Sequence, residues 1–208
     1  KKTIIFYSHW HHDHIQGLAF NSGLFNPKKN TYITSALNDK NESKNIIHRY
    51  FSGFYFPVEL TKKLLNLKFV EFNDLKKDFE KDFQIEFLKL NHPGGSVGYS
   101  IKNKYKKITI LLDNGYDKEQ FFDLHKFAGK SDYIVWDGMF TDEELKNKAF
   151  WGHSSIEQGI EFFNITEIDN MLITHHDPSR TDDQLNVLSK DLPQGITFAK
   201  DGMIVDFT

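Results

Sequence analysis

The sequence contains no cysteine, so neither disulfides nor thiolate metal ligands are available to it. It has no apolar stretch approaching membrane-spanning length and no signal-peptide pattern, which leaves a soluble cytoplasmic protein as the default. It also lacks the basic excess of a general nucleic-acid binder: 26 Lys and Arg stand against 29 Asp and Glu, a formal charge of −3. A small anionic substrate stays open, because bound metal ions supply local positive charge. No repeat or low-complexity linker divides the 208 residues, a length that suits one domain over 1–208 with an ample core. The chain starts with Lys1 and enters a buried-looking strand almost at once, so preceding sequence is expected to be missing.

What is present is concentrated in Ser8-His9-Trp10-His11-His12-Asp13-His14, directly after the apolar run Thr3-Ile4-Ile5-Phe6-Tyr7. This H-x-H-x-D-H pattern places four potential metal ligands within six residues. On a strand, alternate side chains share a face, so His9 and His11 are expected to point into one site and His12 away from it. Asp13 and His14 fall where the chain leaves the strand and can serve a neighbouring site. Imidazole and carboxylate donors suit zinc, and manganese also fits them. An exposed histidine run or a tag remnant is the bland reading, and the embedded Asp and flanking strand speak against it.

Period-2 patterns predict strands at Thr31–Ile33, Phe69–Phe72, Phe83–Leu88 and Val97–Ile101, and continuous apolar runs predict buried strands at 108–112, 133–136 and 171–174. Helices are expected at 60–65, 119–127 and 156–163 and after Thr181, and a hairpin at Asp201-Gly202 joining 196–198 to 203–205. The expected fold is a sheet-rich α/β sandwich. Several buried-looking strands end in ligand-type residues: His92, Asp113, and the pair His175-His176. Each alone is more often a turn or cap residue. Together with the first motif they supply seven donors, enough for two metals, with His9, His11 and His92 on one, Asp13, His14 and His175 on the other, and Asp113 bridging.

The order H-x-H-x-D-H followed by spaced His, Asp and His resembles the metallo-β-lactamase superfamily, most of all its phosphodiesterase branch of tRNA 3′-processing endonucleases and cyclic nucleotide phosphodiesterases. Tyr55–Val58, Leu90–Tyr99, Asp137–Glu144, Trp151–Ser155 and Thr174–Pro178 carry the resemblance along nearly the whole chain. It implies an αββα sandwich with a dinuclear centre, most simply zinc, and a homodimer. It favours His175 over His176 as the final ligand. Family members have several dozen residues of strand and loop before the first histidine motif, so N-terminal strands are expected to be absent from this chain. Asp113 departs from the family in preceding Asn114-Gly115-Tyr116, where a Thr is usual.

Ser154-Ser155-Ile156-Glu157 fits a capping box with Ser154 as N-cap, which puts His153 just before a helix N-terminus that favours an anion. The resemblance implies that His153 contacts the scissile phosphate and protonates the leaving oxygen, with Asp137 orienting it. It further implies hydrolysis of a phosphodiester by a metal-bridging hydroxide, with Asp13 able to accept a proton while remaining a ligand. The expected substrate is a small cyclic phosphate, above all a cyclic mononucleotide of the kind used in cyclic-pyrimidine defence signalling. Ser154, Phe54 and Tyr55 are candidate substrate contacts, the aromatic pair as a base-stacking wall. Aromatic core packing is the default for a chain with 20 Phe and 8 Tyr, and a subunit contact explains the stretch equally well. The enzymatic rival is tRNA 3′ processing, but His92 and Asp113 lie 21 positions apart, too close for the tRNA-binding arm of those endonucleases. A non-catalytic nucleotide-binding protein and an inactive fragment complete the alternatives.

Overall fold

The computed structural model describes residues 2–206, and the chain divides into two units, Lys1–Phe79 and Glu80–Thr208, each with its own sheet. In the first unit the elements are β1 (Thr3–Tyr7), α1 (His12–Ile15), β2 (Thr31–Ser35), α2 (Lys40–Tyr50), α3 (Leu60–Lys63), β3 (Leu67–Phe69) and α4 (Phe72–Phe79). The three strands pair in parallel in the order β1-β2-β3, so each connection must cross over, and the helices provide the crossovers. The Asp39 carboxylate caps α2 by accepting from the Asn41 and Glu42 amides at 2.8 and 2.9 Å, worth about 1 kcal/mol. Ile47 of α2 then packs with Ile33, Leu24 and Phe51 in a core of fully buried side chains.

The second unit contains β4 (Gln84–Leu90), β5 (Ser96–Lys102), β6 (Lys107–Leu111), α5 (Phe121–Ala128), β7 (Tyr133–Asp137), α6 (Asp142–Leu145), α7 (Ile156–Ile165), β8 (Met171–Thr174), α8 (Asp182–Leu188) and β9 (Ile196–Phe198). Its sheet runs β4-β5-β6-β7-β8-β9, antiparallel across the first two pairings and parallel thereafter. Two antiparallel steps return β4 to the direction of β6. The C-terminal ends of β4, β6, β7 and β8 therefore share one edge of the sheet. That edge is where open α/β sheets bind ligands. The core below it centres on Trp136, stacked on Phe162 at 5.3 Å between ring centres. Gly159 of α7 permits this packing, since a Cβ there would lie 2.7 Å from the Trp136 ring.

Three expectations shift. The Phe69–Phe72 alternation is not a strand: β3 ends at Phe69, and Phe72 opens α4, where it and Leu75 bury one helical face. Four alternating residues match either period, and burial of the i, i+3 pair decides for the helix. Asp201-Gly202 does turn, with Gly202 at φ +76°, but the described residues 203–206 form no strand; the Met203 amide closes the turn on the Lys200 carbonyl and Ile204 is exposed. The β1 strand ends at Tyr7, so His9 and His11 lie beyond it in the loop that leads into α1. No helix among the described residues is long and apolar enough to cross a membrane.

Candidate metal centre

In the first unit the histidine motif is folded tightly without strand alternation. The His9 ring lies 4.5 Å from that of His11 and 4.3 Å from that of His14, centre to centre. Asp13 and His14 sit on the short α1, with a carboxylate oxygen 3.4 Å from His14 Nε2. The residues between the expected ligands serve as anchors. Trp10 donates its indole N–H to Asn38 Oδ1 at 2.7 Å, and His12 hydrogen-bonds through Nδ1 to the Tyr50 hydroxyl. His12 thus takes an outward role, on a helix and not on the strand.

In the second unit the shared sheet edge delivers His92 just past β4, Asp113 just past β6, Asp137 as the last residue of β7, and His175 directly after β8. The two carboxylate oxygens of buried Asp113 face different imidazoles: Oδ2 is 3.6 Å from His92 Nε2, and Oδ1 is 3.4 Å from His175 Nε2. One carboxylate oxygen for each of two nitrogen donors is the disposition a bridging ligand needs. His92 Nδ1 lies 2.7 Å from the Gly152 carbonyl, so it carries the proton and leaves the Nε2 lone pair for a metal. Ligand atoms of Asp113, His153 and His175 lie within 4.8 Å of one another. His176 points elsewhere: its ring packs on Phe198 and Nδ1 meets the Gly138 carbonyl at 3.3 Å, with burial holding its pKa below the ordinary histidine value.

Asp113 and His175 both adopt left-handed backbone, at φ 55° and 60°. For non-glycine residues this costs of order 1–3 kcal/mol and persists only where surroundings enforce it. Both turns swing a donor off the end of a parallel strand. The departure at Asn114-Gly115 has a role in holding that turn. Asn114 accepts from the Asn91 amide at 3.0 Å through its side chain, and Gly115 donates to the Asn91 carbonyl at 2.6 Å, tying the Asp113 loop to the residue before His92.

Asp137 is fully buried and accepts three hydrogen bonds, from the Asn114 and Met139 amides at 3.1 and 3.2 Å and from His153 Nδ1 at 2.8 Å. The last fixes the tautomer of His153, with the proton on Nδ1. The cap lies one residue later than expected. Ser155, not Ser154, is the N-cap of α7, and Gln158, not Glu157, completes its capping box. Glu157 instead accepts from the Asp142 amide. His153 consequently sits two residues before the cap. Ser154, expected to meet substrate, is fully buried; its hydroxyl donates to the Asn114 carbonyl and accepts from the Tyr116 amide. Phe54 and Tyr55 are exposed on the loop after α2.

Gly152 was not legible as a site residue. At φ +78° it lets its carbonyl reach His92, and a Cβ there would fall 2.3 Å from Pro93 and 2.8 Å from His92 Nδ1. Gly152→Ala is therefore expected to displace the His92 ring and cut metal affinity by about 10–100-fold, measured by metal titration.

A further set of contacts holds the loop after His175. Arg180 donates to Glu144 at 2.5 Å, and the Asp177 amide donates to the Met139 carbonyl at 3.2 Å. Burial opposes ionisation of Glu144, but hydrogen bonds from Thr141 and Arg180 together with the Arg180 charge outweigh it and hold its pKa below the ordinary glutamate value. A lowered carboxyl pKa means stability that is present above the ordinary glutamate range and lost as pH falls through the folded value. Glu144→Gln is expected to cost about 1 kcal/mol at pH 7 and to become indistinguishable from the parent in acid, read by thermal melts across pH.

No family model matches the chain. Among solved structures, the metallo-β-lactamase fold protein YhfI from Bacillus subtilis superposes with a TM-score of 0.67 at 17% identity, covering 98% of this chain and 78% of that one. The chain has the metallo-β-lactamase fold. Human tRNase Z, short form, shares it with a TM-score of 0.67 at 17% identity over 99% of this chain and 79% of its own. A diphosphatase of the PhnP family does so at 15% identity over 100% and 73%. Among curated proteins, Ribonuclease Z of Clostridium acetobutylicum is 25% identical over 228 aligned positions, 85% of this chain and 71% of that protein. The mixed α/β architecture expected from the sequence is thus that of the metallo-β-lactamase fold, and its donor chemistry fits divalent metal.

Proposed function

We propose that the protein is a dinuclear metal-dependent phosphodiesterase that hydrolyses a small cyclic phosphate, above all a cyclic mononucleotide. The observation that carries the reading is Asp113, whose two oxygens face His92 Nε2 and His175 Nε2. His9, His11, Asp13, His14, His92, Asp113 and His175 would hold two divalent ions, zinc in the first instance. Bound there, the metals supply an activated water and offset the charge that develops on phosphorus. The protein's own groups do the rest. Asp113 and the imidazoles would fix the donor geometry, and Asp13 would accept a proton. Asp137 holds the His153 Nδ1 proton, so that Nε2 faces the phosphate and donates to the leaving oxygen.

Small size of substrate is supported by the chain between His92 and Asp113, which is occupied by β5, β6 and the turn joining them, with no extended arm. A second reading, cleavage at the 3′ end of precursor tRNA, is favoured by the likeness to Ribonuclease Z and tRNase Z. The test is turnover by chelated and then zinc- or manganese-reloaded protein on a panel of cyclic purine and pyrimidine mononucleotides. Metal-dependent ring opening supports the first reading. A reloaded two-metal protein that opens none of them rejects it.

A further inference from the structure

An open groove of about 770 Å³ runs along the first unit, between the histidine motif and α2. Its walls are aromatic: Trp10, Tyr50, Tyr55, Phe20 and Phe56. Its polar groups are His12, Gln16 and Arg49, which offer hydrogen-bond donors and a cation at the rim. Two of the wall residues, Trp10 and His12, alternate along the chain with His9, His11 and Asp13. Their anchoring on Asn38 and Tyr50 joins the groove wall to the motif that would hold metal. Whatever occupies the groove beside them lies one residue along the chain from the proposed ligands.

We infer that this groove seats the nucleobase of the substrate. The inference rests on the phosphodiesterase reading and adds where the organic half of the substrate is recognised. A planar, π-faced group is what several aromatic walls with a few polar edges select, and the volume suits a ligand of nucleotide size. Arg49 adds charge complementarity towards an anion and can stack on a base. Tyr55 is 84% exposed and Arg49 is exposed as well, so substituting either leaves the packed core intact. Phe54 does not line the groove, which separates the two members of the expected stacking pair.

The test compares cyclic CMP and cyclic AMP with base-free ribose 3′,5′-cyclic phosphate, using the zinc-loaded full chain and its Tyr55→Ala and Arg49→Gln variants. The preference for nucleotide over base-free substrate, as a ratio of kcat/KM values, is expected to fall about tenfold in Tyr55→Ala, which lies within what one base–aromatic stack is worth. An unchanged ratio overturns the inference, as does an unchanged ratio with a smaller sedimentation coefficient, which would make the groove a contact between copies of the chain. If the parent opens neither substrate, the phosphodiesterase reading fails on its own. The groove is then judged by tryptophan fluorescence of metal-free protein titrated with cyclic CMP and cyclic AMP. Quenching that is lost in Trp10→Phe and weakened in Tyr55→Ala upholds it, and absence of quenching overturns it.

Discussion

Asp113→Ala is expected to abolish the proposed phosphodiesterase activity, with a loss of at least about a thousandfold, and to lower the metal content of purified protein. The size follows from position. Asp113 is buried, and its two oxygens face two separate imidazoles, so its removal takes away both contacts at once. Several kcal/mol of charge stabilisation attributed to metal in such sites would go with it. Asp113→Asn is the sharper probe. It keeps the shape, but one of its two atoms becomes an NH2 that cannot ligate, so metal analysis should show a deficit while the melting temperature of the metal-free protein stays close to the parent's. A variant that retains full metal and full rate would remove Asp113 from the centre.

His153→Ala carries the second large effect, and its size should depend on the leaving group. Opening a cyclic nucleotide expels a sugar alkoxide, which needs a proton as the P–O bond breaks. Loss of a positioned general acid is then worth about 10²–10⁴ in kcat. A nitrophenyl phosphodiester expels a stable phenolate that needs no such help, and the same variant should lose no more than about tenfold on it. Asp137→Asn should show a smaller loss of the same selectivity, about 10–100-fold, because the amide no longer fixes the His153 tautomer. Combined with His153→Ala it should add little, since Asp137 acts on the leaving group through His153. Equal losses on both leaving groups would place His153 among the metal-holding or structural residues instead.

The strand ends were the most legible part of this chain. Asp113, Asp137 and His175 each follow a continuous apolar run and His92 an alternating one, and both patterns at that length point to strands. Their convergence on one edge was not legible, because it depends on two antiparallel pairings returning β4 to the direction of β6. The rings of the histidine motif do come together, but on a loop and not on a strand. Alternation of His9 and His11 fits a strand, but β1 stops at Tyr7 and the loop brings the rings together by another route. The slip from Ser154 to Ser155 has a similar cause. Both serines can cap, and only the contact of the Ser154 hydroxyl with the Asn114 carbonyl, 40 positions away, assigns them. Left-handed backbone at Asp113 and His175 is only weakly marked in the sequence, since Asp and His tolerate it better than most residues but do not require it as glycine positions do. The groove is equally hidden, as it joins residues 10–20 to residues 46–56 through tertiary packing and the His12–Tyr50 hydrogen bond.

The measurement that bears most directly on the central claim is a side-by-side rate comparison. A single zinc-loaded preparation, shown by metal analysis to hold two ions per chain, would be given a cyclic mononucleotide and a precursor tRNA with a 3′ trailer. The account predicts rapid conversion of the cyclic nucleotide to its linear monophosphate and no removal of the trailer. Efficient trailer removal by a preparation that leaves every cyclic nucleotide intact would contradict it.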